Sequence, residues 1–205
     1  MLMIYGKGLA LGGSLIMAIG AQNAFVLSQG VRKRFYFIIP LICSIIDAIL
    51  IATGVLGAGA FFSSHESLTW IASIGGATFL IWYGIRSFKA SFTAESMNEE
   101  QQGPSDLKAA VLFTLAVSLL NPHVYLDTML LIGSISSGYA RDESIYFGLG
   151  AITASFIWFF ALSFGGKVLS PLFKNPLAWK ILDIMIALIM WILAYSLIRS
   201  VIMSL

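Results

Sequence analysis

Charge is what this chain has least of. Of its 205 residues, 12 are lysine or arginine and 10 are aspartate or glutamate, 11% in all, against about 25% in soluble domains. With 59% hydrophobic residues and a mean hydropathy of +0.90, it has too little polar surface for a soluble domain of any size. The net charge of +2 is too small to indicate a nucleic-acid partner. Cys43 is the only cysteine and sits in an apolar run, so there is no disulfide framework and no thiolate metal site. The two histidines, His65 beside Glu66 and His123, make a poor metal site. No glycine-rich phosphate loop, HExxH pair or convincing cysteine–histidine dyad is present. Neither a cofactor nor soluble-type catalysis is expected.

What the chain does have is long apolar runs, and a bilayer crossing needs only ~20 such residues. Six spans can be marked, at about 6–28, 36–62, 68–88, 108–134, 144–166 and 178–201. The first run carries one lysine, Lys7, and continues to about Leu27. That exceeds the apolar core of a signal peptide, so it reads as a retained span. The one sizeable hydrophilic segment, 89–107, holds Glu95, Asn98, Glu99, Glu100 and Asp106 and reads as a mobile loop. The expected fold is an all-α integral membrane protein with a first three-helix unit (1–88), a cytoplasmic loop (89–107) and a second three-helix unit (108–205). Its oligomeric state is open, a homo-oligomer included.

Basic residues set the orientation. Arg32, Lys33, Arg34, Arg86, Lys89, Lys108, Lys167, Lys174 and Lys180 fall on one side and only Lys7, Arg141 and Arg199 on the other. The nine-residue side is therefore cytoplasmic and both termini face the periplasm. An internal repeat agrees with this count. Leu68-x-Trp70 with Trp82 and Ile85-Arg86-Ser87 is echoed by Leu177-x-Trp179 with Trp191 and Ile198-Arg199-Ser200, and Tyr36-Phe37 by Tyr146-Phe147. Three spans per half makes the second copy inverted, as in many secondary transporters. The alternative is that these aromatics only mark membrane interfaces.

Polar groups inside the spans are the candidate site. Span 4 carries Asn121-Pro122-His123-Val124-Tyr125-Leu126-Asp127, and span 1 carries Gly20-Ala21-Gln22-Asn23. Under the repeat, Asn23 lies opposite Asn121. Pro122 removes a backbone donor and, with Gly20, marks a helix break; the alternative is a kink that only packs the bundle. On a helix His123 and Asp127 share a face, where a histidine beside an acid can relay protons. Asp47 has no charged neighbour on its own helix, and an intramembrane acid is a functional hypothesis by default, with Arg86 or a hydroxyl as the structural partner otherwise. Tyr125 reads as a cavity wall or hydrogen-bond donor. Asp183 reads as decoration of a helix end. Gly8, Gly12, Gly54, Gly57, Gly59, Gly75 and Gly76 read as close helix contacts.

At these residues the chain resembles the LysE/ArgO family of bacterial lysine and arginine exporters. The matching stretches are Gly20-Ala21-Gln22-Asn23-Ala24-Phe25 with Gln29-Gly30, Cys43-Ser44-Ile45-Ile46-Asp47, Trp82-Tyr83-Gly84, Leu120 to Thr128, and Ala154-Ser155-Phe156-Ile157-Trp158-Phe159. The family often has proline where this chain has Ala21. The resemblance implies an inner-membrane exporter of arginine, lysine or close analogues, driven by the proton gradient or membrane potential. The wider superfamily also moves neutral amino acids and divalent cations, and a non-transporting scaffold is the reading from another class. The residues favour a cationic solute. Asp47 and Asp127 are the acids available to bind cation or proton, Asn23, Asn121 and Gln22 supply polar groups, and a half-helix N-terminus can receive the solute's carboxylate.

Overall fold

The computed structural model describes residues 1–17, 20–57, 66–93, 106–121 and 124–203. Apolar sequence at this density has one economical solution for its backbone, which is to bond within its own segment as helix. The described elements are α1 (Leu2–Ile16), α2 (Ala21–Val31), α3 (Ile38–Val55), α4 (Glu66–Thr93) and α5 (Leu107–Leu119). A π-helical segment (Tyr125–Leu131) then runs into α6 (Ile132–Ser136). After it come α7 (Arg141–Leu169), a 3-10 turn (Ser170–Lys174) and α8 (Pro176–Met203).

Two of the expected spans are each two pieces. The axes of α1 and α2 meet at 85°. Gly20 is the extended N-cap residue of α2 (φ −134°, ψ 172°), so the sharp change of direction is made with Ala21, not proline, opening the second helix. The 108–134 run divides after Leu119, and its far part is π-helix, whose i→i+5 bonding is rare and recurs at functional sites. Asp106 starts α5 as a side-chain cap, its carboxylate accepting from the Ala109 amide at 2.6 Å. By length and composition, three described helices are suited to cross a membrane: Ile38–Val55, Arg141–Phe173 and Pro176–Arg199. The bent α1–α2 pair makes a fourth. Helix α4 runs to Thr93, beyond the expected end at 88, and 94–105 of the expected loop lie outside the described residues.

The helices are sorted inside out relative to a soluble bundle. On α3, Ile45 and Ile49 are exposed while Cys43, Ser44 and Asp47 are buried. On α8, Ile181, Leu188 and Ile192 face outward. Apolar surface on this scale is covered by lipid, not water. Helix α7 is the hub, packing against α1, α2 and α3, and α4 pairs with α8 along the other side.

Close approach is built with glycine. A Cβ on Gly8 would strike the Phe147 carbonyl, one on Gly12 would come within 2.7 Å of the Ala151 Cα, and one on Gly54 within 2.5 Å of the Met129 carbonyl. Gly76 is packed the same way against Leu120. Gly57 and Gly75 differ: among the described residues nothing lies within 4 Å of a Cβ built on either, and Gly57 adopts φ +95° just past the end of α3. Gly59 lies outside the described residues. Gly12→Leu should therefore destabilise the protein by about 1–3 kcal/mol or more, the scale of overpacking. Gly75→Ala should be neutral or stabilising by up to about 1 kcal/mol through helix propensity. Thermal unfolding in detergent, followed by size-exclusion chromatography, reads both; equal melting temperatures for the two variants would refute the packing assignment.

Candidate functional site

The two breaks face the same space. Between them lies a cavity of about 290 Å³, lined by Leu15, Ile16, Gly20, Gln22, Asn23, Asp47, Asn121, Val124, Asp127, Thr128, Phe159 and Leu193. This is the small end of the range for ligand sites, roughly 300–1,000 Å³, and matches a single small solute. Gly20, Gln22, Asn23, Asp47, Asn121 and Asp127, all singled out in the sequence, come together here from four elements. Pro122 and His123 lie outside the described residues. Among the described lining residues, the carboxylates of Asp47 and Asp127 carry the only charges.

Each break is closed by a side chain that follows it. The Asn23 amide donates from Nδ2 to the carbonyl of Ile16, the last residue of α1, at 3.0 Å. The Tyr125 hydroxyl donates to the carbonyl of Leu119, the last residue of α5, at 2.7 Å. Tyr125 is thus a staple for the break and is not among the lining residues. Asn23 is further fixed because its Oδ1 accepts from Trp158 Nε1 at 3.2 Å.

Asp47 sits halfway along α3 and is 2% exposed. Its Oδ2 accepts a 2.8 Å hydrogen bond from the Ser155 hydroxyl. A carboxylate at bilayer depth costs on the order of 2.5–3.5 kcal/mol, and a hydrogen bond to a charged group returns about 1.5–3 kcal/mol. One hydroxyl therefore makes Asp47 tolerable without neutralising it. The arginine considered from sequence, Arg86, has its guanidinium over the Trp82 ring, 5.9 Å from the centroid. Asp127 lies in the first turn of the π segment. The expected shared face with His123 falls on a residue outside those described.

Three participants were missed in the sequence. Ser155 and Trp158, one turn apart on α7, hold Asp47 and Asn23 across 108 and 135 residues of chain. Thr128 lines the cavity and returns its hydroxyl to the Val124 carbonyl at 2.5 Å. The Ser-Phe-Ile-Trp spacing was visible, but its partners were not.

Asp183 corrects the expectation of a helix-end ornament. It is the eighth residue of α8 and 2% exposed, and it pairs with Arg32 at 3.5 Å. Arg32, placed from sequence between spans 1 and 2, is the C-cap residue of α2, and its side chain, 8% exposed, lies against the Trp179 ring, 4.9 Å from its centroid. Burial pushes its guanidinium below the ordinary value, opposed chiefly by Asp183.

Residues 13–201 match the family described as LysE type translocator. This chain belongs to that family. The arginine exporter protein ArgO of Salmonella schwarzengrund (strain CVM19633) is 38% identical over 204 residues, covering 98% of this chain and 95% of that protein. ArgO of Salmonella enteritidis PT4 and of Salmonella typhi are each 37% identical over the same coverage. No solved structure matches. A translocator family and several membrane-length helices make this LysE-type protein a multi-pass membrane transporter, not an enzyme.

Asn23→Leu should lower stability more than Trp158→Phe. The first leaves both the Ile16 carbonyl and the Trp158 N–H unpaired, at about 1–3 kcal/mol each, whereas the second frees only one acceptor. Melting temperatures of the purified variants measure this; an Asn23→Leu protein as stable as Trp158→Phe would remove the staple.

Proposed function

We propose that this protein exports arginine, and lysine as the other common cationic amino acid, across the bacterial inner membrane through the cavity between the two helix breaks. One observation carries the reading: the described lining holds two carboxylates and no basic side chain. A guanidinium or ammonium tail leaving water needs an anionic partner, and Asp47 and Asp127 supply it. The substrate's own carboxylate faces the N-terminus of α2, where the first-turn amides have no intrahelical acceptor and the helix dipole favours an anion. The ArgO relatives, named as arginine exporters and aligned over nearly the whole chain, support the choice of solute.

The transport cycle exchanges the cation for protons on the same acids, so that the proton gradient drives export. In this reading α1–α2, α3, α4, α5 through α6, α7 and α8 are six spans forming two inverted three-helix units, with both termini periplasmic. The parallel staples Asn23–Ile16 and Tyr125–Leu119 and the pairing of α4 with α8, the two helices that carry the tryptophan repeat, support that arrangement.

Proteoliposomes preloaded with labelled arginine or lysine should release them under an imposed proton gradient and retain leucine and threonine. Asp47→Asn, correctly inserted, should cut efflux by at least about tenfold, the equivalent of about 1.4 kcal/mol. Ser155→Ala should reduce it less, because the carboxylate remains. Release of the neutral controls would move the acids from solute binding to proton coupling alone, and no release of any solute from folded protein would sink the exporter reading.

A further inference from the structure

Beyond the cavity, unsatisfied polar groups collect on one side. Among the described residues, six buried side-chain atoms have no hydrogen-bond partner within the chain: Gln22 Nε2, Gln29 Oε1, Arg32 Nη1, Ser118 Oγ, Ser170 Oγ and Asp183 Oδ2. Such an atom costs about 1–3 kcal/mol, and folded proteins keep few of them. These are not scattered. Gln22, Gln29 and Arg32 fall at i, i+7 and i+10 along α2, near one face of the helix. Ser118 comes from the end of α5 next to the break, and it and Gln22 reach only the Cys43 thiol, a weak acceptor. Asp183 meets Arg32, and Ser170 lies on the 3-10 turn that packs against α2.

The file has a direction and a length. Gln22 lines the cavity, and Arg32, ten residues on, lies about 15 Å further along the helix axis. On α8, Asp183 precedes the cavity residue Leu193 by the same ten residues, again about 15 Å. Two independent helices thus agree in setting the ion pair about 15 Å along their axes from the cavity residues. An aromatic layer stands between. Phe25 packs on Phe113 at 4.3 Å between ring centroids, and Phe113 on Tyr83 at 4.4 Å. Tyr83 in turn lies in the field of both Arg32 and Asp183. The turn after Arg32 holds Lys33 and Phe35 at φ +54° and +49°, a left-handed conformation that costs non-glycine residues about 1–3 kcal/mol each.

We propose that this polar file is the cytoplasmic half of the translocation path in its closed state, with the Phe25–Phe113–Tyr83 layer and the Arg32–Asp183 pair as its gate. The inference rests on the transporter reading above and extends it to the route. A buried ion pair held by one contact, with bonding capacity left on both partners, has little net stability to lose when water reaches it. Separation of the α2 and α8 ends hydrates each orphan atom. The Trp179 face then retains Arg32, and Asp183 becomes the first carboxylate that a cation entering from the cytoplasm meets.

Cys43, the only thiol in the sequence, reports the state of this route. It is fully buried and lies one helical turn from Asp47, on the Arg32 side. The probe is a membrane-impermeant maleimide applied to inside-out and right-side-out membrane vesicles, with Cys43→Ser as background. The unmodified protein should label slowly from either face. Asp183→Asn should raise the rate several-fold in inside-out vesicles alone, and the exchanged pair Arg32→Asp with Asp183→Arg should bring it back down. Phe113→Ala, which thins the aromatic layer without stranding a charge, should give the same rise and stands in if Asp183→Asn does not accumulate. Unchanged labelling in inside-out vesicles, or a rise confined to the opposite face, would overturn the gate. Labelling requires no flux, so the two readings fail separately. The expected labelling in a protein that releases no arginine keeps the gate and removes the solute; arginine efflux without it does the reverse.

Discussion

A helix that stops inside an apolar slab leaves its last carbonyls without donors, and lipid offers none. This constraint organises the protein. Helices α1 and α5 both stop short, and each is answered locally, by Asn23 on the Ile16 carbonyl and Tyr125 on the Leu119 carbonyl. Once the breaks are stabilised in this way, the ends of four helical segments converge, and a polar cavity exists at a depth where an unbroken bundle would be solid. The acids then have somewhere to face. Neither Asp47 nor Asp127 would be tolerable on a lipid-facing stripe, and α3 shows the division plainly, with Ile45 and Ile49 outward and Asp47 inward.

The two carboxylates are held differently, and the difference matters chemically. Asp47 is fixed on a regular helix by a hydroxyl from α7, so its position is set by the rigid hub of the bundle. Asp127 rides on π-helical backbone, whose register is less tightly prescribed. An acid on regular helix and one on π-helical backbone thus line the same small cavity from two neighbouring elements.

Much of this was legible in the sequence because it is local. A proline, a glycine and paired amides inside apolar runs announce breaks, and an aspartate flanked by isoleucines announces itself by cost alone. Six of the nine residues singled out for the site line one cavity. The remainder depended on tertiary distance. Ser155 is an ordinary helical serine until Asp47 lies opposite, and Asp183 looked like a helix-end charge because nothing in its neighbourhood reveals Arg32, 151 positions earlier. Tyr125 was placed near the site, but its hydroxyl turned back to the chain. The π geometry of Tyr125–Leu131 has no composition signal of its own.

Helix α5 carries a last consequence. Its thirteen residues are about 20 Å long, tied at one end by the Asp106 cap and stopped at the other by the break. It is therefore a short strut, shorter than a ~30 Å hydrocarbon core, and α2 beside it is shorter still. Neither is long enough to cross such a core alone, so any crossing made through them has to be completed by the segment beyond the break.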